Sequence, residues 1–398
     1  MFKDLQPAPP DAILGLTEAY LKDPRKEKIN LSVGVYQDAQ GATPTLETVK
    51  EAERRLLEKG ASKSYLPISG LAEYAVGVQS LLFGDEHEIV LSGRASTAQT
   101  PGGTAALRAA ADTIHRLHPT ATVWISQPTW PNHPSVFAAS GLKVEVYPYF
   151  DAENNSLALE AMLQTLEKIP PGNVVLLHGG CHNPTGVDPT PEQWRQIADV
   201  IHARNLLPLV DFAYQGFGDG IREDTVGIQT LCRPGQEVLI CSSFSKNFGL
   251  YGERVGALTV VAADRASAEA AMSHVKVCIR SSYSNPPAHG ARIVATILSD
   301  EALRRQWEQE VAGMRDRING MRRKFVETMA EVGSPRDWSF IERQRGMFSF
   351  SGLTPIEVDQ LRSEHAIYIV GNGRINVAGM TEANLPTLCR AIAAVTQR

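Results

Sequence analysis

From about Gly102 onwards, short apolar runs alternate with segments that have the amphipathic spacing of helices, such as one near Pro134 to Ser140 and PEQWRQIADVIHARN. Continuous apolar runs bounded by Gly and Pro are typical of strands buried on both faces. The runs are TVWISQ, KVEVYPY, NVVLLHGG, LLPLVDFAY and VLICSSF. Strands that alternate with helices predict a mostly parallel sheet covered by helices, which is an α/β fold.

The C-terminal part of the chain follows a different pattern. A polar stretch from about Asp300 to Val332 predicts one long helix, which either connects two domains or lies solvated on the surface; its charge pattern fits both. The segments GMFSFSGL, a helix near Glu357 to His365, and AIYIVGNGRINVAGM then predict a smaller α+β domain. We expect a large domain over 45–310, a small domain over 311–398, and an N-terminal segment, 1–44, that contributes to the small domain.

Composition excludes several classes of function. The formal net charge of −5 over 398 residues argues against a nucleic-acid binder that uses a basic surface. The five cysteines are scattered and form no CxxC pair, so we expect neither a disulfide framework nor a metal site. The N-terminus lacks the pattern of a signal peptide, and no apolar run has the length of a membrane span. We therefore expect a cytoplasmic protein that binds no membrane.

Polar residues follow three of the predicted strands, at the sheet edge where α/β proteins bind ligands. Lys246 follows VLICSSF, Asp211 and Tyr214 end LLPLVDFAY, and Asn183 lies beyond NVVLLHGG. A lysine desolvated in such a place has a lowered pKa and a nucleophilic amine. Taken one at a time, the same residues also fit a surface lysine, a helix-capping aspartate and an Asn-Pro turn.

Other short motifs suit anion binding. In TPGGTAA, Gly103 and Thr104 precede a helix, where backbone N–H groups and the helix dipole favour a phosphate. The sequence is neither a Walker motif nor GxGxxG, so a nicotinamide dehydrogenase is excluded. Arg280 and Arg374 suit bidentate carboxylate binding, although either could equally form an ordinary ion pair.

The order of these motifs resembles that of class I aminotransferases, the pyridoxal 5′-phosphate (PLP)-dependent transferases of fold type I, and within them the aspartate/aromatic subgroup. The resemblance runs nearly end to end, through INLSVGVYQDAQG, SKSYLPISG, TPGGTAALR, QPTWPNH, HGGCHNPTGVDPT, VDFAYQGFGDG, SSFSKNFGLYGERVG, IRSSYSNPPAHG, GMFSFSGL and GRINVAGM. It implies the PLP fold with a large domain and a smaller α+β domain.

The resemblance also implies the role of each residue towards PLP. Lys246 would bind the cofactor covalently and transfer the proton at the substrate Cα, while Asp211 pairs with the pyridine nitrogen and Tyr214 and Asn183 contact the ring oxygen. Trp130 would stack on the ring, with His133 and His178 behind Asp211. The phosphate would be held by Gly103, Thr104, Ser243, Ser245, Arg254 and, from a neighbouring subunit, Tyr65.

For substrates, the resemblance implies that Arg374 binds the α-carboxylate, and that Trp130 and Asn183 also contact the amino acid. Gly34 and Val35 would lie in a segment that closes over it. Arg280 would reach in from the neighbouring subunit to bind a side-chain carboxylate, so the active form would be a homodimer with shared sites.

The implied reaction is transfer of the amino group of L-aspartate to 2-oxoglutarate, in ping-pong exchange between PLP and its amine form. The residues that favour a dicarboxylic substrate are Arg280, Asn285, Val35, Thr43 and Thr104, whereas Gln37 and Ser64 depart from the aspartate pattern. An aromatic amino acid aminotransferase is the alternative. Two further alternatives are a decarboxylase or β-eliminating enzyme on the same fold and a non-catalytic ligand-binding domain.

Overall fold

The computed structural model describes residues 2, 3, 5–7 and 13–397. The strands are β1 (Ile29–Asn30), β2 (Ala95–Pro101), β3 (Thr122–Gln127), β4 (Lys143–Pro148), β5 (Phe150–Asp151), β6 (Ser156–Leu157), β7 (Val174–His178), β8 (Leu207–Phe212), β9 (Val238–Ser243), β10 (Val255–Val261), β11 (Phe348–Phe350), β12 (Ile367–Tyr368) and β13 (Arg374–Asn376). The helices are α1 (Leu14–Lys22), α2 (Glu47–Lys59), α3 (Ala72–Phe83), α4 (Glu88–Leu91), α5 (Gly103–Leu117), α6 (His133–Ala138), α7 (Leu159–Leu166), α8 (Pro191–Ala203), α9 (Val226–Leu231), α10 (Arg265–Ser282), α11 (His289–Ser299), α12 (Glu301–Glu331), α13 (Phe340–Arg343), α14 (Pro355–His365) and α15 (Leu385–Thr396).

A seven-stranded sheet forms the centre of the molecule, in the order β2-β10-β9-β8-β7-β3-β4. Strands β3, β4, β7, β8 and β9 run parallel, and β10 pairs antiparallel with both β2 and β9. Every residue of β7, β9 and β10 is buried, as expected for strands covered by helices on both faces. The predicted α/β fold with a mostly parallel sheet is confirmed.

Two strands of this sheet were not predicted. The β2 sequence, ASTAQTP, consists of small and polar residues and has no apolar run, although it is largely buried. The β10 sequence, VGALTVV, is apolar, but it runs antiparallel to β9 because residues 244–254 join the two strands without a crossover helix. Sequence periodicity indicates neither the burial of β2 nor the antiparallel direction of β10.

The long helix α12 confirms the prediction of one helix from about Asp300 to Val332. Asp300 caps its N-terminus by accepting hydrogen bonds from two backbone N–H groups. One stripe of the helix is buried along its whole length, through Leu303, Trp307, Val311, Met314, Ile318, Met321, Phe325 and Met329. Since α12 packs against α2 and α11 as well as α13 and α15, it is packed along one face and is not a helix solvated on all sides. Its role as a connector between two domains remains a prediction.

Smaller sheets lie at the C-terminal end of the chain. Strand β11 pairs antiparallel with β13, and the N-terminal β1 pairs parallel with β12, with Ile29 opposite Ile367. This pairing supports the predicted contribution of segment 1–44 to a small domain over 311–398. The division at residues 44 and 310 remains a prediction. Within the described ranges, no helix is long and apolar enough to cross a membrane.

Candidate active site

A cavity of about 430 Å³ opens beside the carboxyl ends of β7, β8 and β9. Most of the predicted site residues line it: Gly34, Val35, Gly103, Thr104, Trp130, His178, Asn183, Asp211, Tyr214, Ser243, Ser245, Lys246, Arg254 and Arg374. The parallel register explains part of this grouping, because His178 at the end of β7 lies opposite Asp211 on β8. The sheet therefore brings together groups that are far apart in the sequence.

Lys246 is partly buried on the turn that follows β9, and its Nζ lies 4.8 Å from the centre of the Tyr214 ring. Burial lowers the pKa of the Lys246 amine to about 8, with Arg254 and Arg374 adding to the effect and Asp211 opposing it. Burial also raises the pKa of the Tyr214 phenol. Near neutral pH this amine is much closer to its neutral, nucleophilic form than an exposed lysine would be.

Asp211 is held at one end of a chain of hydrogen-bonding groups. Its Oδ2 lies 2.9 Å from His133 Nε2, and Thr129 Oγ1 lies 2.7 Å from His133 Nδ1 and 3.1 Å from His178 Nε2. Burial opposes ionisation of Asp211, but the hydrogen bond to His133 and the electrostatic effects of His133, His178 and Lys246 outweigh it and lower the pKa of the carboxyl group. Burial, together with the neighbouring His133, lowers the pKa of His178 to about 3. The site therefore contains the ionised carboxylate of Asp211 and the neutral imidazole of His178.

The N-terminus of α5 forms one wall of a polar cradle with Ser243, Ser245 and Arg254. No side chain caps this helix, and Gly102 precedes it with φ of +83°. The backbone angle favours glycine, and a Cβ on Gly102 would lie 2.4 Å from Arg254 Nη2 and displace that guanidinium. Arg254 Nη1 donates to Tyr251 O at 3.0 Å and to Ser245 Oγ at 3.4 Å. Unpaired N–H groups, two hydroxyls and a guanidinium are the donors that a phosphate needs.

Arg374 lies across the cavity and is only 2% exposed. Its Nη1 donates to Asn183 Oδ1 at 3.0 Å, its Nη2 donates to Ser32 O at 2.5 Å, and its guanidinium stacks 4.1 Å from the Phe348 ring centre. Burial lowers the pKa of Arg374 to about 10. Within the described part of the chain, Arg374 has no carboxylate partner, and its Nε has no hydrogen-bond acceptor. A buried cation in this state suits a carboxylate ligand.

Comparison with known proteins accounts for this constellation. The family model for aminotransferase class I and II matches residues 26–392. The chain is 54% identical to an aspartate aminotransferase of Salmonella typhi, over 99% of this chain and 100% of that protein. It is 49% identical to an aromatic-amino-acid aminotransferase of Pseudomonas aeruginosa, over 99% of this chain and 98% of that protein.

Among solved structures, an aromatic-amino-acid aminotransferase from Burkholderia pseudomallei, covalently bound to pyridoxal phosphate, superposes with a TM-score of 0.97. It is 47% identical, and the match covers 100% of this chain and 99% of that one. This chain belongs to the class I and II aminotransferase family.

The aminotransferase is a PLP-dependent enzyme, and the residues in the cavity fit that cofactor. PLP needs an amine for its aldehyde, an anion beside its ring nitrogen and donors for its phosphate. The chain offers Lys246, Asp211 and the cradle beside α5, where a side chain on Gly102 would occupy the position of the Arg254 guanidinium. The cofactor prediction is confirmed, while the role of each residue towards PLP remains a proposal.

Some of the predicted site residues do not line this cavity. Tyr65 is 92% exposed, and Arg280 is exposed at the end of α10, where its Nη1 bonds to Ser284 Oγ. Both positions are compatible with side chains that act in a neighbouring subunit. His133 also lies outside the cavity lining and reaches it only through Asp211.

Sequence reasoning missed several groups that shape the site. Thr129 links the two histidines, Phe348 stacks on Arg374, and Tyr251 Oη accepts a hydrogen bond of 2.9 Å from the backbone N–H of Tyr36. Ser32 contributes only its backbone carbonyl. Thr129 was detectable, since it follows β3 at the same sheet edge as Asp211. The other contacts join segments that no local pattern connects.

Proposed function

We propose that this aminotransferase transfers the amino group of L-aspartate to 2-oxoglutarate, giving oxaloacetate and L-glutamate. The observation that carries the proposal is the pairing, in one cavity, of a lysine of lowered pKa with a buried arginine that has no carboxylate partner among the described residues. The 54% identity to an aspartate aminotransferase over nearly the whole chain supports the choice of substrate.

In this proposal Lys246, Asp211, Tyr214, Asn183, Trp130 and the cradle around Arg254 would hold the cofactor. Bound PLP supplies an electron sink, which makes removal of the proton at Cα feasible. Asp211, ionised and supported by His133, stabilises positive charge at the ring nitrogen. Lys246 Nζ would accept the proton from Cα of the amino acid in one half of the exchange and donate a proton to Cα of the 2-oxo acid in the other, a task that suits an amine with a pKa of about 8.

Arg374 determines which substrate bond is cleaved. By binding the α-carboxylate through its free donor positions, it directs the Cα–H bond towards Lys246 and holds the carboxylate away from the reacting position. This is a positioning effect, and it favours transamination over decarboxylation. Phe348 and Asn183 restrict the guanidinium to one orientation, so binding requires little further ordering.

The dicarboxylic preference depends on a second subunit. We propose a homodimer in which Arg280 of one chain binds the side-chain carboxylate in the other site and Tyr65 contacts the phosphate there. Val35 and Thr104 line the cavity as expected for a substrate-contacting role, whereas Thr43 and Asn285 do not line it in the single chain. A cytoplasmic location and the absence of nucleic-acid partners remain predictions.

An aromatic amino acid aminotransferase is the second candidate, because relatives at 49% and 47% identity carry that name. The test is an absorbance titration of the PLP-loaded enzyme with L-aspartate and, separately, with L-phenylalanine. Conversion to the amine form of the cofactor by aspartate, at roughly 100-fold lower concentration, supports the proposal. Conversion by both at similar concentrations identifies a broad aromatic enzyme, and no visible cofactor band would contradict the proposed site.

A further inference from the structure

Asn247 joins the two chain segments that carry Lys246 and Tyr214. Its side chain is fully buried, and its Nδ2 donates to the carbonyl oxygen of Gln215 at 3.2 Å. Asn247 directly follows Lys246, and Gln215 directly follows Tyr214. One amide therefore links the backbone beside the proposed base to the backbone beside the proposed phenol donor.

Both ends of this link are anchored. On the lysine side, Trp307 of α12 donates from Nε1 to the carbonyl oxygen of Asn247 at 2.8 Å and stacks on Phe248 with ring centres 4.3 Å apart. The backbone N–H of Gly249 donates to the carbonyl oxygen of Lys246 at 3.0 Å. The turn that carries Lys246 is therefore fixed through two successive carbonyl groups.

On the tyrosine side, the buried Gln215 donates from Nε2 to the carbonyl oxygens of Leu81 and Ile221, both at 2.9 Å. The backbone carbonyl oxygen of Gln215 accepts the hydrogen bond from Asn247 Nδ2. A buried side chain with two backbone partners cannot move without breaking both bonds. The backbone around Gln215 is therefore a firm reference point against which Asn247 holds the lysine turn.

Packing alone does not explain an asparagine at position 247. Its Oδ1 is buried and has no hydrogen-bond partner among the described residues. An unpaired buried amide oxygen is unfavourable for stability, whereas leucine, which has the same branched arrangement of four heavy atoms, would carry no such penalty on its own account. The amide is therefore better explained by the one bond that it makes than by its contribution to the core.

We propose that Asn247 is a positioning residue, which sets the separation between Lys246 Nζ and the Tyr214 ring by tying the lysine turn to Gln215. The inference rests on the proposed roles of Lys246 and Tyr214 in transamination. It assigns to Asn247 no contact with substrate or cofactor, and indeed Asn247 does not line the cavity. Its effect is transmitted only through the backbone of its neighbours.

The test compares Asn247→Leu with the unmodified enzyme, both loaded with PLP. Two quantities are measured: the pH titration of the visible absorbance of the cofactor, and the kinetics with L-aspartate and 2-oxoglutarate. We expect the pKa of the absorbance titration to move by about 0.5, because the amine and phenol groups around the chromophore are displaced. We expect kcat to fall roughly tenfold with KM for L-aspartate changed less than about twofold, because ground-state binding by Arg374 is untouched.

Thr113→Val is the matched control. It also removes one buried bond from a side chain to a backbone carbonyl, Thr113 Oγ1 to Ala109 O at 2.7 Å, but on α5 and outside the cavity lining. This variant should lower the melting temperature without changing the absorbance titration. Should Asn247→Leu titrate like the unmodified enzyme, the inference is overturned.

A second variant decides the matter if Asn247→Leu does not fold. Trp307→Phe keeps an aromatic ring against Phe248 but removes the N–H that holds Asn247 O, together with part of the indole ring system. It should move the absorbance titration in the same direction by a smaller amount, and an unchanged titration overturns the inference. If the unmodified enzyme itself shows no cofactor band and no turnover, the proposed function fails instead, so the two failures are distinguishable.

Discussion

At the scale of single residues, the site is organised around charged groups that burial makes costly. Arg374 has no carboxylate partner in the described chain, and Lys246 has a lowered pKa. Asp211 retains its charge because His133 supports it. Buried groups of this kind lower the stability of the folded cofactor-free protein. A ligand of opposite charge, or an aldehyde that reacts with the amine, removes most of this cost when it binds. The energetic state of the free site thus favours binding.

The lysine supplies a prediction about pH and stability. Its pKa is lowered to about 8 in the native cofactor-free chain, against about 10.4 when unfolded, so between these values the unfolded state binds more protons. The free energy of unfolding should therefore rise with pH across this window, by on the order of 2 kcal/mol after allowance for solvent screening. Urea unfolding of cofactor-free protein, compared with Lys246→Met at each pH, isolates this contribution. Identical pH profiles for the two proteins would contradict the lowered pKa.

At the scale of elements, the phosphate cradle depends on how closely β2, β10 and α5 approach one another. Gly256 on β10 lies against the turn at Gly102, where an added Cβ would be 2.5 Å from the Gly102 carbonyl carbon. The antiparallel pairing of β10 with β2 brings these glycines together, with Gly256 opposite Thr100. Because Gly102 and Gly256 have no side chains, the first N–H groups of α5 and the Arg254 side chain can meet at one point.

This arrangement predicts a selective effect of Gly102→Ala. The substitution places a methyl group 2.4 Å from Arg254 Nη2 at a residue with φ of +83°, so the arginine must move out of the cradle. We expect the Kd for PLP to rise about tenfold or more, measured by equilibrium dialysis. Gly172→Ala is the control, since Gly172 has φ of +79° with nothing within 4 Å of the added atom. Both variants carry roughly 1–2 kcal/mol of backbone strain, but only the first should lose PLP affinity.

At the scale of the whole molecule, two residues with proposed roles at an active site do not line the cavity of their own chain. Tyr65 and Arg280 are exposed, although the family resemblance gives both a role at an active site. An exposed tyrosine and an arginine at a helix end fit residues that reach into a neighbouring subunit. The single chain thus supplies the residues that line the cavity, and the proposed dimer would add Tyr65 and Arg280.

Shared sites predict complementation between two inactive variants. Lys246→Ala and Arg280→Ala should each lose most aspartate transamination, the first by removing the base and the second by removing the side-chain carboxylate contact. After the two are unfolded together and refolded, about half of the dimers should be hybrids with one intact site, restoring roughly a quarter of the activity. A mixture of Lys246→Ala with Lys246→Met should restore none. Absence of recovery in the first mixture, with hybrids present, would show that Arg280 does not act across subunits.

The sequence by itself determined the local elements and the chemical types at the site. Helices expected from about Asp300 to Val332 and near Glu357 to His365 are found at Glu301–Glu331 and Pro355–His365, because periodicity and capping residues act within a few turns. The polar residues after the strands were equally readable, since parallel strands end at a common edge.

Only the tertiary structure decided which distant groups meet there. The Ser32 carbonyl and Phe348 hold Arg374, Thr129 joins two histidines, and Asn247 is tied to Gln215. Each contact joins parts of the chain that come together only when the sheet and α12 have packed. The local pattern reports what one segment prefers, whereas these distances depend on how several segments share a single core.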